Sequence, residues 1–411
     1  MLSYNEAIQV VGKTVKPLPP RLLPLAEAAG LVLAEETRSC VDLPPADNSA
    51  MDGYAYGFAG QRAGDRLPVT DFIPAGVLRT ETVPPGRCVK IMTGAPLPPG
   101  CDTVVPIEET EESDGQVRLL KAGRQGEHVR YCGEEIRKDE ILLSAGTLLS
   151  PGEIGLLAAA GVAQVRVYPR PRVAVLSTGD ELVELGAERR PGQIVNSNSY
   201  LLAARLRELG CEVVPLGIGG DEPESLRALL REGFKADMLI TSGGVSMGDR
   251  DLVQEVLHSL GFVKGFWKVA IKPGKPVLFG TVAGKPVFGL PGNPAASAAT
   301  LEIFAAPAAR LLAGAANPLP PRLPARLGAG IPAGGKRETF LWGRLRWADG
   351  GYVFDPHLRQ GSGQNRSLQG AHALLAVPVG APALTAGETA EVLLLRLPPG
   401  GALCDSPGLS G

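Results

Sequence analysis

The chain has 411 residues, more than one hydrophobic core usually organises, so several domains are expected. An apolar fraction of 44%, with 53 glycines and 37 prolines spread among periodic segments, is the composition of a folded, turn-rich protein. A near-balance of 41 basic and 43 acidic residues argues against a broad nucleic-acid-binding surface, and six cysteines without a CxxC pair, with four scattered histidines, exclude the usual zinc signatures and a dense disulfide framework.

Residues 1–6 lack a basic region followed by an apolar segment, and no later run is expected to have the length of a membrane-spanning helix. A cytoplasmic address is therefore expected, and any metal used is expected to be a hard, oxygen-liganded ion such as Mg²⁺.

In chain order, the pattern predicts a short helix over 3–11 and another helical stretch over 25–34, separated by Pro17, Pro19, Pro20 and Pro24. Between about 45 and 135 the character changes: short apolar segments at 88–92, 103–107 and 116–120, punctuated by Pro-Gly and Asp-Gly, predict a compact β-rich domain. The acidic run 108–112, continued by Asp114, is expected to face water beside an Asp114-Gly115 turn. Residues 142–167 read as an alanine-rich helix leading into a strand, a piece able to pair with the first 45 residues around the β-rich insertion.

From 170 the rhythm is clearer. Apolar runs at 172–177, 212–217 and 237–241 predict buried strands, and 197–209, 223–232 and 252–260 predict intervening helices, the alternation of a parallel Rossmann-like sheet. Two shorter strands joined around Gly284 follow, then a helix beginning at Pro294. After a proline-rich junction at 317–324, runs at 340–347, 352–354, 373–379 and 391–397 predict a small terminal β domain. The boundaries drawn are 1–45 with 136–169, 46–135, 170–316 and 317–411.

Ser177-Thr178-Gly179-Asp180-Glu181 follows one buried strand directly and can present hydroxyls, N–H groups and carboxylates at the ligand-binding edge of the sheet; a plain capped turn is the competing reading. Thr241-Ser242-Gly243-Gly244-Val245-Ser246 holds the equivalent place after another strand, with glycines that permit close backbone approach to a phosphate or pterin edge. Downstream, Asp249 suits a helix cap, leaving Asp251 as the stronger chemical candidate; Asp221, with Pro223 and Glu224 behind it, reads equally as a capping box or a ligand. Lys268, Lys272 and Lys275, around Pro273 and Gly274, can receive an oxyanion, or form an ordinary solvated turn. In Leu290-Pro291-Gly292-Asn293-Pro294, Asn293 suits the cap and Pro294 the first helical position, which can aim N–H groups at an anion. Ser362, between two glycines and close to Arg359, Arg366 and Ser367, can complete an oxyanion site, although a surface loop is the competing reading. Asp52 in Asp52-Gly53, Thr93 at a strand end and the acidic turn Glu134-Glu135 have little to mark them on their own.

Taken together, Asn48-Ser49-Ala50-Met51-Asp52-Gly53-Tyr54-Ala55, Met92-Thr93-Gly94-Ala95-Pro96, Ser177 through Leu182, Thr241 through Ser246, Ala270 through Pro276, and Gly289 through Pro294 resemble the motifs of the molybdopterin molybdenumtransferases, related to the E domain of gephyrin. The resemblance covers nearly the whole chain, with the last 90 or so residues matched more by architecture than by sharp motifs. It implies a multidomain α+β fold: an interrupted N-terminal domain, a β-rich insertion, a central Rossmann-like α/β domain and a small C-terminal β-barrel-like domain. It implies a homodimer whose active site is shared between subunits, possible transient contact with the molybdopterin adenylyltransferase, and no nucleic-acid or membrane partner.

The implied reaction is Mg²⁺-dependent insertion of molybdate into adenylylated molybdopterin with release of AMP. Asp52, Thr93, Glu181, Asp221 and Asp251 match polar positions of the family cleft, with Glu181, Asp221 and Asp251 as candidate metal ligands. Pro291 and Pro294 match prolines of its wall. Glu135 stands where the family has aspartate, so its carboxylate sits one methylene further out. Adenylyl transfer onto molybdopterin and a noncatalytic gephyrin-like scaffold are the alternative functions.

Overall fold

The computed structural model describes residues 1–220, 222–244 and 252–398; Asp221, Ser246, Asp249 and Asp251 lie outside them. The chain forms two compact units, one of Met1–Arg21 with Tyr168–Gly411 and one of Leu22–Val167.

In the first unit, a six-stranded sheet is made by β1 (Arg172–Thr178), β2 (Glu212–Gly219), β3 (Met238–Ser242), β4 (Val263–Trp267), β5 (Leu278–Val282) and β6 (Lys285–Leu290), in the order β2-β1-β3-β6-β5-β4. The first four in that order run parallel, while β5 and β4 are antiparallel additions. Ala283 and Gly284 both take positive φ (48° and 79°), the geometry of a tight hairpin turn between β5 and β6. Alternation along β1 explains the layers. Val173 and Val175 enter one core with Leu202 and Leu206 of helix α1 (Ser197–Glu208), whereas Ala174 and Leu176 enter the opposite core with Leu226 and Leu230 of helix α2 (Pro223–Gly233). Connections thus leave β1 and β2 towards opposite faces, which opens a crevice at the carboxyl ends of the strands.

Helix α3 (Leu252–Ser259) packs beside α2, and α4 runs from Pro294 to Leu312 with one wider π turn at Leu301–Ala305. At 19 residues, α4 is long and apolar enough to cross a membrane, contrary to the expectation of no such run, but 89% of it is buried within the fold. Its start at Pro294 is the one expected from the sequence.

The first core is shared widely. The N-terminal helix Tyr4–Thr14 is closed by a capping box in which Ser3 Oγ accepts from Glu6 N–H at 3.3 Å and the Glu6 carboxylate accepts from Ser3 N–H at 2.8 Å. Its Tyr4 ring meets Phe304 of α4 at 5.7 Å and Phe340 of the terminal domain at 5.4 Å, and burial pushes the Tyr4 phenol up to about 12.

The terminal domain is a closed barrel. Glu338–Ala348 pairs with both Gly351–Pro356 and Ala373–Val377, and Arg322–Leu327 with Thr389–Leu394 complete the ring. Arg322–Leu327 begins inside the proline-rich junction expected at 317–324 and runs past it; its Pro324 has no N–H to donate, yet the strand still pairs with Thr389–Leu394.

In the second unit, Gly53–Tyr56, Cys88–Ile91, Thr103–Pro106, Arg66–Ile73, Gln116–Leu119 and Thr110–Ser113 form a six-stranded sheet. Asp114 and Gly115 turn between the last two with positive φ of 51° and 69°. The acidic run is only partly solvated: Glu112 accepts from the Tyr54 hydroxyl and, at 3.0 Å, from Lys90 Nζ. A separate core joins Leu25, Leu31 and Leu33 to Leu149, Leu157 and Val165. The helical expectation over 25–34 is overturned. Only Leu25–Glu27 makes a single helical turn, because Gly30 and Leu33 send their N–H groups sideways to the carbonyls of Leu149 and Thr147.

Arg205 and Glu302 fasten the first unit internally. They are 8% and 4% exposed and meet through two bonds, Nε–Oε1 at 2.7 Å and Nη2–Oε2 at 3.1 Å; Arg205 also reaches Glu208 at 2.8 Å and the Leu395 carbonyl at 2.9 Å. Breaking this pair leaves a buried charge. Glu302→Leu alone should destabilise the protein by about 3–5 kcal/mol in denaturant unfolding, whereas Arg205→Met with Glu302→Leu should recover most of the loss. A single-variant loss below about 1 kcal/mol would show that the pair does not hold the unit together.

Candidate functional site

The crevice is a cleft of about 730 Å³, and its described wall comes from the strand-end loops. From β1 come Ser177, Thr178, Gly179 and Glu181; from β3, Ser242, Gly243 and Gly244; from the turn after β6, Pro291, Gly292, Asn293 and Pro294. These calls from the sequence converge as a parallel sheet requires. Asp180 is exposed beside Glu181 but is not a lining residue. The candidates Asp221, Ser246 and Asp251 fall outside the described residues, and Glu222 is the N-cap of α2, without a side-chain capping bond.

The start of α1 adds two residues that sequence reasoning missed. Asn196 caps the helix, its Oδ1 accepting from Ser199 N–H at 3.3 Å, and Asn198 Nδ2 donates to Ser242 Oγ and to the Gly292 carbonyl, both at 2.8 Å. Asn198 therefore ties the β3 loop to the β6 turn. An Asn-Ser-Asn run before an amphipathic helix reads as ordinary capping, which hid this role.

Several buried polar atoms on this wall have no partner among the described residues: Ser177 Oγ, Thr178 Oγ1, Asn196 Nδ2 and Asn198 Oδ1. Each such group costs on the order of 1–3 kcal/mol unless something satisfies it. Glu181 is the only carboxylate among its described lining residues, and no lysine or arginine lines it there.

Three expectations change. Gly243 and Gly244 do not primarily make room for a ligand: a Cβ on Gly243 would stand 2.3 Å from the Thr178 carbonyl oxygen, and one on Gly244 would stand 2.3 Å from Val253 Cγ2. The glycines let two protein loops approach each other. Lys268, Lys272 and Lys275 do not reach the described wall, although the adjacent Pro276 does. Ala270 is held between the Leu2 carbonyl (2.8 Å) and the Glu338 N–H (3.0 Å), and Lys268 Nζ rests 3.6 Å from the Trp267 ring centroid.

The third change concerns the start of α4. Pro294 has no N–H, and the next two donors, Ala295 and Ala296, both go to the Ser362 carbonyl at 2.9 and 3.3 Å. Asn293 does hold the N-cap position, its carbonyl accepting from Ser297 N–H at 2.8 Å, but its side chain makes no capping bond and Nδ2 lies 3.3 Å from Ser362 Oγ. This helix end is closed by the protein and offers no free donors to an anion. Gly363 and Asn365 carry the same loop on to the cleft wall, while Arg359 and Arg366 line a different concavity.

In the second unit, Asp52 and Thr93 come together. Asp52 Oδ1 accepts from both the N–H and the hydroxyl of Thr93, each at 2.7 Å. The two donors, backbone first, hold this exposed carboxyl below the usual carboxylate range. Asp52-Gly53 is not a hairpin turn as its composition suggests: Gly53 opens a buried strand, where a Cβ would overlap the Val105 carbonyl. Glu135 is exposed in a separate turn fixed by its N–H to the Leu43 carbonyl at 3.0 Å.

Among the described residues no three His, Cys, Asp or Glu side chains converge as a metal cluster. Cys88, Cys101 and Cys211 are pushed up to about 12 by burial, so their thiols stay protonated near neutral pH and supply no soft ligand.

Domain order, closed barrel and strand-end cleft define a multidomain α+β protein with a polar cleft where parallel strands end. The comparisons give the particular family. Residues 2–161 match the MoeA N-terminal region (domains I and II), 174–311 match a probable molybdopterin binding domain, and 324–395 match the MoeA C-terminal region (domain IV). The chain belongs to the molybdopterin molybdenumtransferase (MoeA) family. It is 40% identical to the molybdopterin molybdenumtransferase of Nostoc sp., over 92% of this chain and 88% of that one, and 36% identical to molybdopterin molybdenumtransferase 2 of Mycobacterium tuberculosis, over 95% and 99%. Among solved structures, a molybdopterin biosynthesis MoeA protein of Pyrococcus horikoshii superposes with a TM-score of 0.83 at 31% identity, over 97% of this chain and 100% of that one.

Thr93→Ala removes one of the two donors on Asp52 and keeps the other. The Asp52 pKa should rise part of the way towards the ordinary carboxylate value, measured by carboxyl-carbon NMR titration. Because the folded pKa is depressed, the stabilisation from these bonds is present above the unfolded pKa and fades as pH falls through the folded one; Thr93→Ala should narrow that window. An unmoved titration would show that the hydroxyl does not act on the carboxylate.

Proposed function

We propose that this protein inserts molybdate into adenylylated molybdopterin, with Mg²⁺, releasing AMP and leaving molybdenum bound by the two dithiolene sulfurs of the substrate. The observation that carries this reading is the set of buried hydroxyl and amide atoms of Ser177, Thr178, Asn196 and Asn198, unpaired among the described residues and lining a cleft large enough for a nucleotide-bearing ligand. These groups are suited to the edges of a pterin and the oxygens of a phosphoanhydride. The substrate brings its own soft sulfur donors, consistent with protonated, buried cysteines.

An oxygen-rich donor set fits a hard ion: Glu181 on the described wall, with Asp221 and Asp251 as further carboxylates, would hold Mg²⁺. When bound, the ion neutralises charge on the phosphoanhydride. The residues of the chain do the positioning. Asn198 fixes the β3 loop against the β6 turn, Ser177 and Thr178 orient substrate oxygens, and the low pKa of Asp52 keeps it an acceptor at neutral pH.

The functional unit in this proposal is a homodimer, in which Asp52 and Thr93 of one copy complete the cleft of the other. Purified protein given adenylylated molybdopterin, Mg²⁺ and molybdate should release AMP in a molybdate-dependent way. Asp52→Asn and Asn198→Ala should each lower that rate by about 10–100-fold while retaining the fold. Mixed dimers of Asp52→Asn and Asn198→Ala chains should recover a fraction of the activity through one intact shared site. No molybdate-dependent AMP release under conditions where a verified relative works would overturn the reading, and ATP-dependent adenylylation of molybdopterin would replace it with the preceding reaction.

A further inference from the structure

The terminal barrel carries a second concavity, of about 340 Å³, that the cleft chemistry does not use. Arg344, Arg359 and Arg366 converge on it with His357, and Leu358 stands fully exposed at its lip. The only acid lining it, Asp355, is already engaged by Arg346 Nε at 2.8 Å. None of the three converging guanidinium groups forms an ion pair among the described residues; Arg344 alone has a side-chain bond, from Nη2 to the Gln369 carbonyl at 3.3 Å.

Gathering like charges at one place costs energy unless an anion is held there, and guanidinium forks match tetrahedral oxyanions through paired N–H bonds. His357 Nε2 is buried in the same wall with no partner among the described residues. Burial first, and then the nearby Arg344, hold His357 below its usual pKa, as expected for a neutral imidazole in a positive field.

The position matters as much as the charge. Arg359 and Arg366 bracket the loop whose Ser362 carbonyl closes the start of α4 and whose Gly363 and Asn365 line the cleft. The loop is braced at both ends: the Gln360 amide bonds to the Trp342 backbone at 3.1 and 2.9 Å, and Ser367 Oγ donates to the Gln364 carbonyl at 2.6 Å.

We propose that this arginine pocket binds a tetrahedral dianionic oxyanion, free or as a phosphomonoester, at a site separate from the cleft, and so fixes the loop that supplies one cleft wall. Holding Arg359 and Arg366 on one anion restrains the six residues between them from either side without adding a group to the reacting centre. Leu358 gives the lip an apolar surface suited to the organic part of a phosphomonoester.

The test is direct binding to the full chain at constant ionic strength, by calorimetry, with inorganic phosphate, inorganic molybdate and a simple phosphomonoester as separate probes. Phosphate should bind saturably. The exposed-site variant Arg359→Gln/Arg366→Gln should weaken it by about tenfold or more with thermal stability unchanged, while Asn198→Ala in the cleft should leave it unaltered. Amide exchange across 359–367 should slow when phosphate is added to the wild type and not to the double variant. Tighter binding of the ester than of phosphate supports a phosphomonoester as the occupant; tighter molybdate supports a free oxyanion. No saturable binding, equal affinity in the double variant, or loss in Asn198→Ala instead would overturn the proposal. These readouts need no turnover, so their failure is distinct from failure of the molybdate-insertion reading.

Discussion

The buried Arg205–Glu302 pair is the constraint on which the larger unit depends. It joins α1, α4 and the last strand of the barrel through one guanidinium, in a place where neither charge can be left alone. Around it lies a core that draws on the N-terminal helix, the central sheet and the barrel at once, with Tyr4, Phe304 and Phe340 in ring contact. The wider turn at Leu301–Ala305 falls where Glu302 reaches Arg205. A helix as apolar as α4 would be ambiguous in isolation; here its burial is accounted for by what packs on it.

The cleft follows from that frame. With α1 and α2 on opposite faces, the strand ends diverge and leave a crevice, and the loops that bound it are pinned to each other rather than left free. Asn198 links two of them, Gly243 and Gly244 allow a third to lie against Thr178, and Ser362 closes the start of α4. Such cross-bracing means the cleft spends its hydrogen bonds selectively. Backbone donors at the start of α4 are consumed internally, while hydroxyls and amides around Ser177 and Asn196 have no partner among the described residues.

Distribution of charge separates two environments within this unit. The described cleft wall has a carboxylate and neutral polar groups, while arginines collect on the barrel beside the same connecting loop. Residues close in sequence, Gly363 and Arg359 or Asn365 and Arg366, are sent to different places by a loop only a few residues long. That division is what makes a cleft wall able to respond to an ion it does not itself contact.

Much of the fold was legible in the sequence because it rests on local periodicity. Two-residue alternation and strand–helix rhythm located β1, β2 and β3 and their helices, and motif order marked the strand-end loops at Ser177, Thr241 and Pro291. The failures have a common cause. Residues 25–34 look helical until lateral hydrogen bonds to Leu149 and Thr147 draw them out, and the start of Arg322–Leu327 looks like a proline-rich junction until Thr389–Leu394 pairs with it. Asp52 and Thr93 lie 41 residues apart, and only the folded sheet brings the carboxylate to the two donors that set its pKa. The sequence by itself determined the elements, the α+β class and which loops end the parallel strands; tertiary structure alone decided which of their polar groups are used up by the protein and which remain, because hydrogen-bond satisfaction depends on partners distant in the chain.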